Sequence, residues 1–168
     1  MRTVQVEPLS VEAFLPFGFY AQLINPQAEK IGQPPVEFFR DRVQQDLGGV
    51  AIASFSTCRV EKRDWVIDVA EYHTATAEGI LPLDNDVLIH VGPATPEDAE
   101  VPLDQMRVFR VPRGTMVVLR PGVWHHAPFT VNDQPANVLI VLPERTYAND
   151  CIVVELEGDE RIKIESKQ

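Results

Sequence analysis

Cysteine is nearly missing from this chain: Cys58 and Cys151 are the only two in 168 residues, and nothing in their spacing resembles a ligand set. A disulfide-stapled scaffold and a cysteine-based zinc module are therefore excluded, and a cytoplasmic, thiol-reducing setting is expected. Long apolar runs are missing too. No stretch approaches the roughly 20 residues that a helix needs to cross a bilayer, so no membrane partner is expected. The opening Met1–Pro8 has no apolar core of the kind a secretion signal carries. Cations are in short supply: 15 Lys and Arg stand against 25 Asp and Glu, for a net charge of −10. Such a surface repels phosphate backbones, so nucleic acid is not an expected partner. The acidic stretches Thr95–Glu100 and Glu155–Glu160 read as solvated loop or tail. Internal repeats are absent.

What is present fits one domain over residues 1–168. A chain of this length buries roughly two-thirds of the surface that its unfolded form exposes, and 45% hydrophobic residues are enough to fill a core. Fourteen scattered prolines argue against long helices. One brief helix is expected at Ser10–Pro16, with Ser10 as N-cap and Pro16 as terminator. Strands are expected at 18–24, 50–60, 65–72, 86–91, 106–111, 115–119, 124–129, 136–142 and 151–156. Val138–Leu142, apolar on both faces, is expected at the centre of a sheet. Many short strands need their edges closed or sheltered, which predicts an all-β fold of antiparallel strands in a barrel or sandwich.

The most informative segment is Gly114–Phe129. The run Val117-Val118-Leu119 suits a pleated, half-buried surface, and Pro121-Gly122 supplies the fixed and the permissive φ that a tight turn needs. Two imidazoles follow, His125 and His126, on opposite faces if the return strand alternates regularly. Gly114, Gly122 and His125 fall at the spacings of the second diagnostic segment of cupins, Gly-x(5)-Pro-x-Gly-x(2)-His, with the proline displaced to Pro121. The first cupin segment, His-x-His-x(3,4)-Glu, resembles Glu71-Tyr-His73 followed by Glu78, with glutamate in place of the first histidine. That resemblance implies a cupin-type double-stranded β-barrel (jelly roll) in which Glu71, His73, Glu78 and His125 converge. Two nitrogens and two carboxylates suit a divalent transition metal such as Ni, Zn, Mn or Fe, rather than calcium. His90 reads as a structural histidine and Trp124 as a packing aromatic.

The similarity extends further. Gly122-Val-Trp-His-His-Ala-Pro-Phe129 resembles the Val-Trp-His-His-Pro-Leu-Phe segment of the ureidoglycolate lyases, also called ureidoglycolate hydrolases. Val6–Gly18 resembles that family's opening, Glu71-Tyr-His73 its Glu-Arg-His, and Asn149–Glu155 its closing Asp-Asn-Cys-Asp-Val-Glu. The resemblance implies a homodimeric, metal-dependent carbon–nitrogen lyase of allantoin and purine breakdown, which splits ureidoglycolate into glyoxylate and urea. It carries over Glu71, His73, His125, His126 and Arg59. Arg59 is the expected clamp on a small-molecule carboxylate substrate, and His126 the expected proton donor or base. Arg107, Arg110 and Arg120 are alternative anion binders. Two other readings stay open: a metal-dependent cupin acting on another small hydroxy or keto acid, and a non-catalytic binding cupin.

Overall fold

Strand-forming runs punctuated by proline, glycine and aspartate give the following elements in a computed structural model that describes residues 1–96 and 99–166. In chain order they are β1 (Arg2–Pro8), α1 (Val11–Phe14), β2 (Gly18–Gln22), β3 (Ile31–Gln33), β4 (Val36–Phe38), β5 (Ala53–Val60), β6 (Val66–Ile67) and β7 (Val69–Tyr72). Then follow β8 (Glu78–Pro82), β9 (Val87–Val91), β10 (Arg107–Val111), β11 (Thr115–Leu119), β12 (Phe129–Thr130), β13 (Ala136–Pro143), α2 (Thr146–Asn149), β14 (Ile152–Glu155) and β15 (Ile162–Glu165). Glu97 and Asp98 of the acidic loop, and Lys167 and Gln168, lie outside the described residues. Among the described residues no helix is long and apolar enough to cross a membrane.

Two sheets face each other. One has six strands in the order β12-β9-β10-β1-β15-β6, the other five in the order β2-β11-β8-β13-β5. Their facing surfaces enclose a core in which Phe14, Ile80, Ile89, Phe109, Val117 and Val138 are almost wholly buried. A second cluster, with Ile67, Leu88, Val108, Trp124, Phe129 and Ile162, lies on the other side of the six-stranded sheet. The β7–β14 ribbon contributes Ala70 and Val154 to it. Side chains alternate along β9, so Val87, Ile89 and Val91 enter the first core while Leu88 enters the second. Coverage on both faces explains why this strand is a continuous buried run.

The all-β expectation holds, and β13 is interior, between β8 and β5. The short helix begins where expected: Ser10 Oγ accepts the Ala13 N–H at 3.2 Å. Three differences have physical causes. First, β1 pairs in parallel with both β10 and β15, so the fold is not purely antiparallel. Strands reached from distant parts of the chain are not bound by the hairpin rule that makes neighbours antiparallel. Second, β1, β3, β4, β8 and β15 arise outside the expected strands; β8 is zipped between β11 and β13 although it opens on Glu78 and Gly79. Third, the expected strand at 124–129 is reduced to bridges at Trp124 and His125, followed by β12. Pro128 has no N–H to give, and Arg63 takes the carbonyls of Ala127 and Pro128 at 2.8 and 3.1 Å, which bends the chain off the sheet.

Phe109 is fully buried and meets the Phe14 ring edge-on at 5.3 Å. Phe109→Ala should lower the unfolding free energy by about 3–5 kcal/mol through lost burial and the cavity left behind. Urea denaturation measures this; a loss below about 1 kcal/mol would mean that the core is elsewhere.

Candidate functional site

Three elements deliver one side chain each to a single point. Glu78 opens β8 on the same inward face as Ile80. His73 follows β7, and His125 sits just past the Pro121-Gly122 turn, where Gly122 adopts φ +79. The Gly122 N–H donates to the His73 carbonyl at 2.7 Å, so the turn is seated on the loop that carries the first histidine. Glu71 and His125 then exchange backbone hydrogen bonds at 2.6 and 2.8 Å. The two histidine segments are thereby locked in register.

The imidazole tautomers follow from the partners. His73 Nδ1 lies 2.6 Å from the Asp150 carbonyl, and His125 Nδ1 lies 2.8 Å from the Val123 carbonyl. Carbonyl oxygens only accept, so each Nδ1 carries a proton. In the neutral rings both Nε2 atoms therefore present lone pairs, and both point at Glu78 Oε2 from 2.9 Å. His73, Glu78 and His125 are 2%, 4% and 3% exposed, so water does not screen this meeting of lone pairs. Only a proton or a cation relieves it.

The protonation states follow the same logic. Burial works to raise the Glu78 pKa, but the charge and hydrogen bonds of His125 and His73 outweigh it and bring it down to about 2. Burial likewise opposes charging of His125, yet Glu78 and the Val123 carbonyl push it up to about 9. A divalent ion fits the same point. The three ligand atoms lie within 4.8 Å of one another, and neighbours about 3 Å apart match bonds of roughly 2.0–2.2 Å. The Nδ1–H bonds to carbonyls are the outer contacts that ligating histidines require.

The other expected residues divide. Glu71 does not join this trio. Its backbone is committed to His125, and its Oε2 accepts the Cys151 thiol at 3.4 Å. Arg59 is not at the site at all: it sits one residue from inward-facing Cys58, so alternation turns it outward, exposed and paired with Glu61. Arg107 pairs with Glu7, Arg110 with Asp86, and Arg120 donates to the Leu15 carbonyl. His126 was expected on the face opposite His125. Where the chain bends at Ala127 it instead lines a cavity of about 180 Å3 together with Glu78, Glu71, Cys58, Ile80, Ile140, Pro128 and Tyr147. Burial lowers its pKa, and the nearby Arg63 charge adds to this against the pull of Glu71. His90 is buried on β9, and among the described residues neither ring nitrogen has a hydrogen-bond partner in good geometry. Burial, opposed by the weaker pull of the Val69 backbone, drives its pKa down to about 3. Trp124 packs on Tyr72 with ring centres 4.4 Å apart and donates to Thr95 Oγ1 at 3.0 Å.

Two contributors escaped sequence reasoning. Asp150 holds the His73 loop twice, through its carbonyl on His73 and through a carboxylate that accepts the Thr74 and Ala75 N–H groups at 2.7 and 2.9 Å. Its position in Asn149–Glu155 was the available signal. Tyr147, on α2, reaches the cavity wall with its ring 6.2 Å from that of His73, and nothing in its sequence context marks it. A larger depression of about 640 Å3 lies near the β3–β4 hairpin, but it is bordered by Lys30 and Glu37, which pair with each other.

Two facing sheets with a buried His-Glu-His trio between them define a cupin-like barrel. The chain belongs to the ureidoglycolate lyase family, whose sequence profile matches residues 1–165. It is 26% identical over 172 residues to a ureidoglycolate lyase of Stutzerimonas stutzeri, covering all of this chain and 98% of that one. A ureidoglycolate lyase of Burkholderia mallei is 29% identical over 170 residues, covering 96% and 86%. Among solved structures, a dTDP sugar isomerase of Desulfovibrio desulfuricans superposes with a TM-score of 0.54 at 12% identity, over 86% of this chain and 89% of that one, a likeness of fold alone.

The His125–Glu78 contact makes stability depend on pH. The raised His125 pKa contributes stability that is complete below the ordinary imidazole value of 6.5 and is lost as pH rises through about 9. The lowered Glu78 pKa contributes stability that is complete above 4.5 and is lost as pH falls toward about 2. In chelator, the melting temperature should therefore decline between pH 6.5 and 9, and His125→Gln should remove most of that slope. A flat wild-type profile across this interval would contradict the assigned contact.

Proposed function

We propose that this chain cleaves ureidoglycolate to glyoxylate and urea, with a divalent transition metal held by His73, Glu78 and His125. The carrying observation is the pair of fixed tautomers whose Nε2 lone pairs converge on one carboxylate oxygen in a buried site. Family membership over residues 1–165 supports the substrate. The bound ion would supply Lewis acidity and orient the hydroxyl and carboxylate oxygens of the substrate. The cavity of about 180 Å3 is below the roughly 300–1,000 Å3 of sites for drug-sized ligands, which suits a molecule of a few heavy atoms.

The protein's own groups account for the proton traffic. His126, kept neutral by its burial, takes the proton of the substrate hydroxyl. The freed oxygen pair forms the aldehyde C=O of glyoxylate as the C–N bond breaks, and its electron pair leaves on the urea nitrogen. The His126 imidazolium returns the proton to that nitrogen, so the cycle closes without net proton change. Burial and the charges of Glu78 and Glu71 raise the Tyr147 pKa, keeping a neutral phenol at the cavity wall.

Purified protein with added divalent metal should release equimolar urea and glyoxylate from ureidoglycolate. His126→Ala should lower kcat by about 10²–10⁴-fold while leaving metal content unchanged. Full metal loading with no turnover would overturn the substrate assignment, and an unchanged kcat in His126→Ala would remove that residue from the chemistry.

The proposal includes a cytoplasmic homodimer. Both cysteines are free thiols. β5 is an edge of the five-stranded sheet, carries Phe55 at 70% exposure and is preceded by Ile52 at 57%, an edge of the kind that pairs with another strand. Light scattering should give twice the 18.9 kDa chain mass, and Phe55→Glu should yield monomer. A wild-type monomer at micromolar concentration would rule this pairing out.

A further inference from the structure

The cavity beside the trio has a chemical polarity that the trio alone does not explain. Its wall includes the carboxylate of Glu71 as well as Glu78, and among the described residues neither lysine nor arginine lines it. A substrate carboxylate therefore has no favourable place near Glu71, where like charges would meet in a poorly screened setting. It belongs at the His73–Glu78–His125 end, where a cation fits. The other end of the same ligand must then satisfy Glu71, and an ionised carboxylate only accepts hydrogen bonds.

Glu71 is built to hold a fixed position. Its backbone N–H and carbonyl are both bonded to His125, so its distance from the trio is set by a two-bond bridge. One carboxylate oxygen accepts the Cys151 thiol at 3.4 Å. Burial first, and the Glu71 charge second, push the Cys151 pKa up to about 12, so that sulfur stays protonated and donating. A carboxylate offers about four acceptor positions, and the thiol uses one of them.

We propose that Glu71 is a specificity-determining residue that recognises the ureido group, accepting its N–H donors while the substrate carboxylate lies at the trio. This rests on the ureidoglycolate reading and deepens it. A ureido group presents two N–H donors side by side, and the two oxygens of a carboxylate match that pair as they match the fork of an arginine. The arrangement places the hemiaminal carbon between Glu71 and the trio, along the wall that His126 lines. It also gives Glu71 a task other than metal ligation.

Calorimetric titration with two uncleavable probes separates the two ends of the ligand. N-carbamoylglycine carries a ureido group and a carboxylate; glycolate carries the hydroxy acid and no ureido group. In the metal-supplemented protein, Glu71→Gln and Glu71→Ala should weaken N-carbamoylglycine by about 10–100-fold and leave glycolate affinity and metal stoichiometry unchanged. A ligand-side control needs no variant: dimethylation of the terminal nitrogen should weaken wild-type binding by a similar factor. Equal loss for both probes, loss of bound metal in Glu71→Gln, or a wild-type protein indifferent to N-carbamoylglycine or to its methylation would overturn the proposal. Glu71-dependent binding of N-carbamoylglycine without turnover of ureidoglycolate would instead uphold Glu71 and refute the reaction.

Discussion

One carboxylate oxygen, Glu78 Oε2, receives two imidazole nitrogens at 2.9 Å in a region closed to water, and the architecture of the site follows from keeping that meeting in place. An isolated buried carboxylate would take up a proton, and two isolated buried imidazoles would stay neutral and misaligned. Here two strands and a turn hold them together. The β7 segment and the Gly122 turn are joined by backbone bonds from Gly122 to His73 and between Glu71 and His125, while β8 is held between β11 and β13. Asp150 adds the closing constraint, because its carbonyl fixes the His73 tautomer while its carboxylate ties down Thr74 and Ala75.

Charge gives the site its direction. The chain carries −10 overall, and among the described residues the cavity wall contributes two carboxylates with no lysine or arginine. Binding a small anion in such surroundings requires positive charge concentrated at one end, which His125 supplies as a cation or surrenders to a metal. Arg63 acts at a distance: its guanidinium lies 3.8 Å over the Phe129 ring and holds the Ala127 and Pro128 carbonyls, which shapes the bend that carries His126 to the cavity.

Much of this was legible in the amino-acid order because strand alternation is local. His73, Glu78 and His125 were readable, with Glu71, as a converging set from their resemblance to the two cupin segments, and β13 as interior from apolar patterning. Alternation also explains Arg59, since inward Cys58 leaves its neighbour outside. The illegible parts depend on contacts made far along the chain. The strand β8 exists because β11 and β13 zip both of its edges, and β1 because β10 and β15 accept it in parallel. The carboxylate of Glu71, expected beside the trio, accepts the Cys151 thiol from a separate segment, a contact that no local pattern announces. His126 reaches the cavity wall where the chain leaves the sheet before Pro128, a bend that strand alternation does not describe.

The central claim is that His73, Glu78 and His125 hold one divalent metal ion, and anomalous diffraction from crystals of the metal-supplemented protein tests it most directly. The account predicts a single strong peak within about 2.0–2.2 Å of both Nε2 atoms and of a Glu78 carboxylate oxygen, with the Glu71 carboxylate outside bonding distance. A trio without a peak under metal excess, or a peak bonded to Glu71 in place of Glu78, would contradict it.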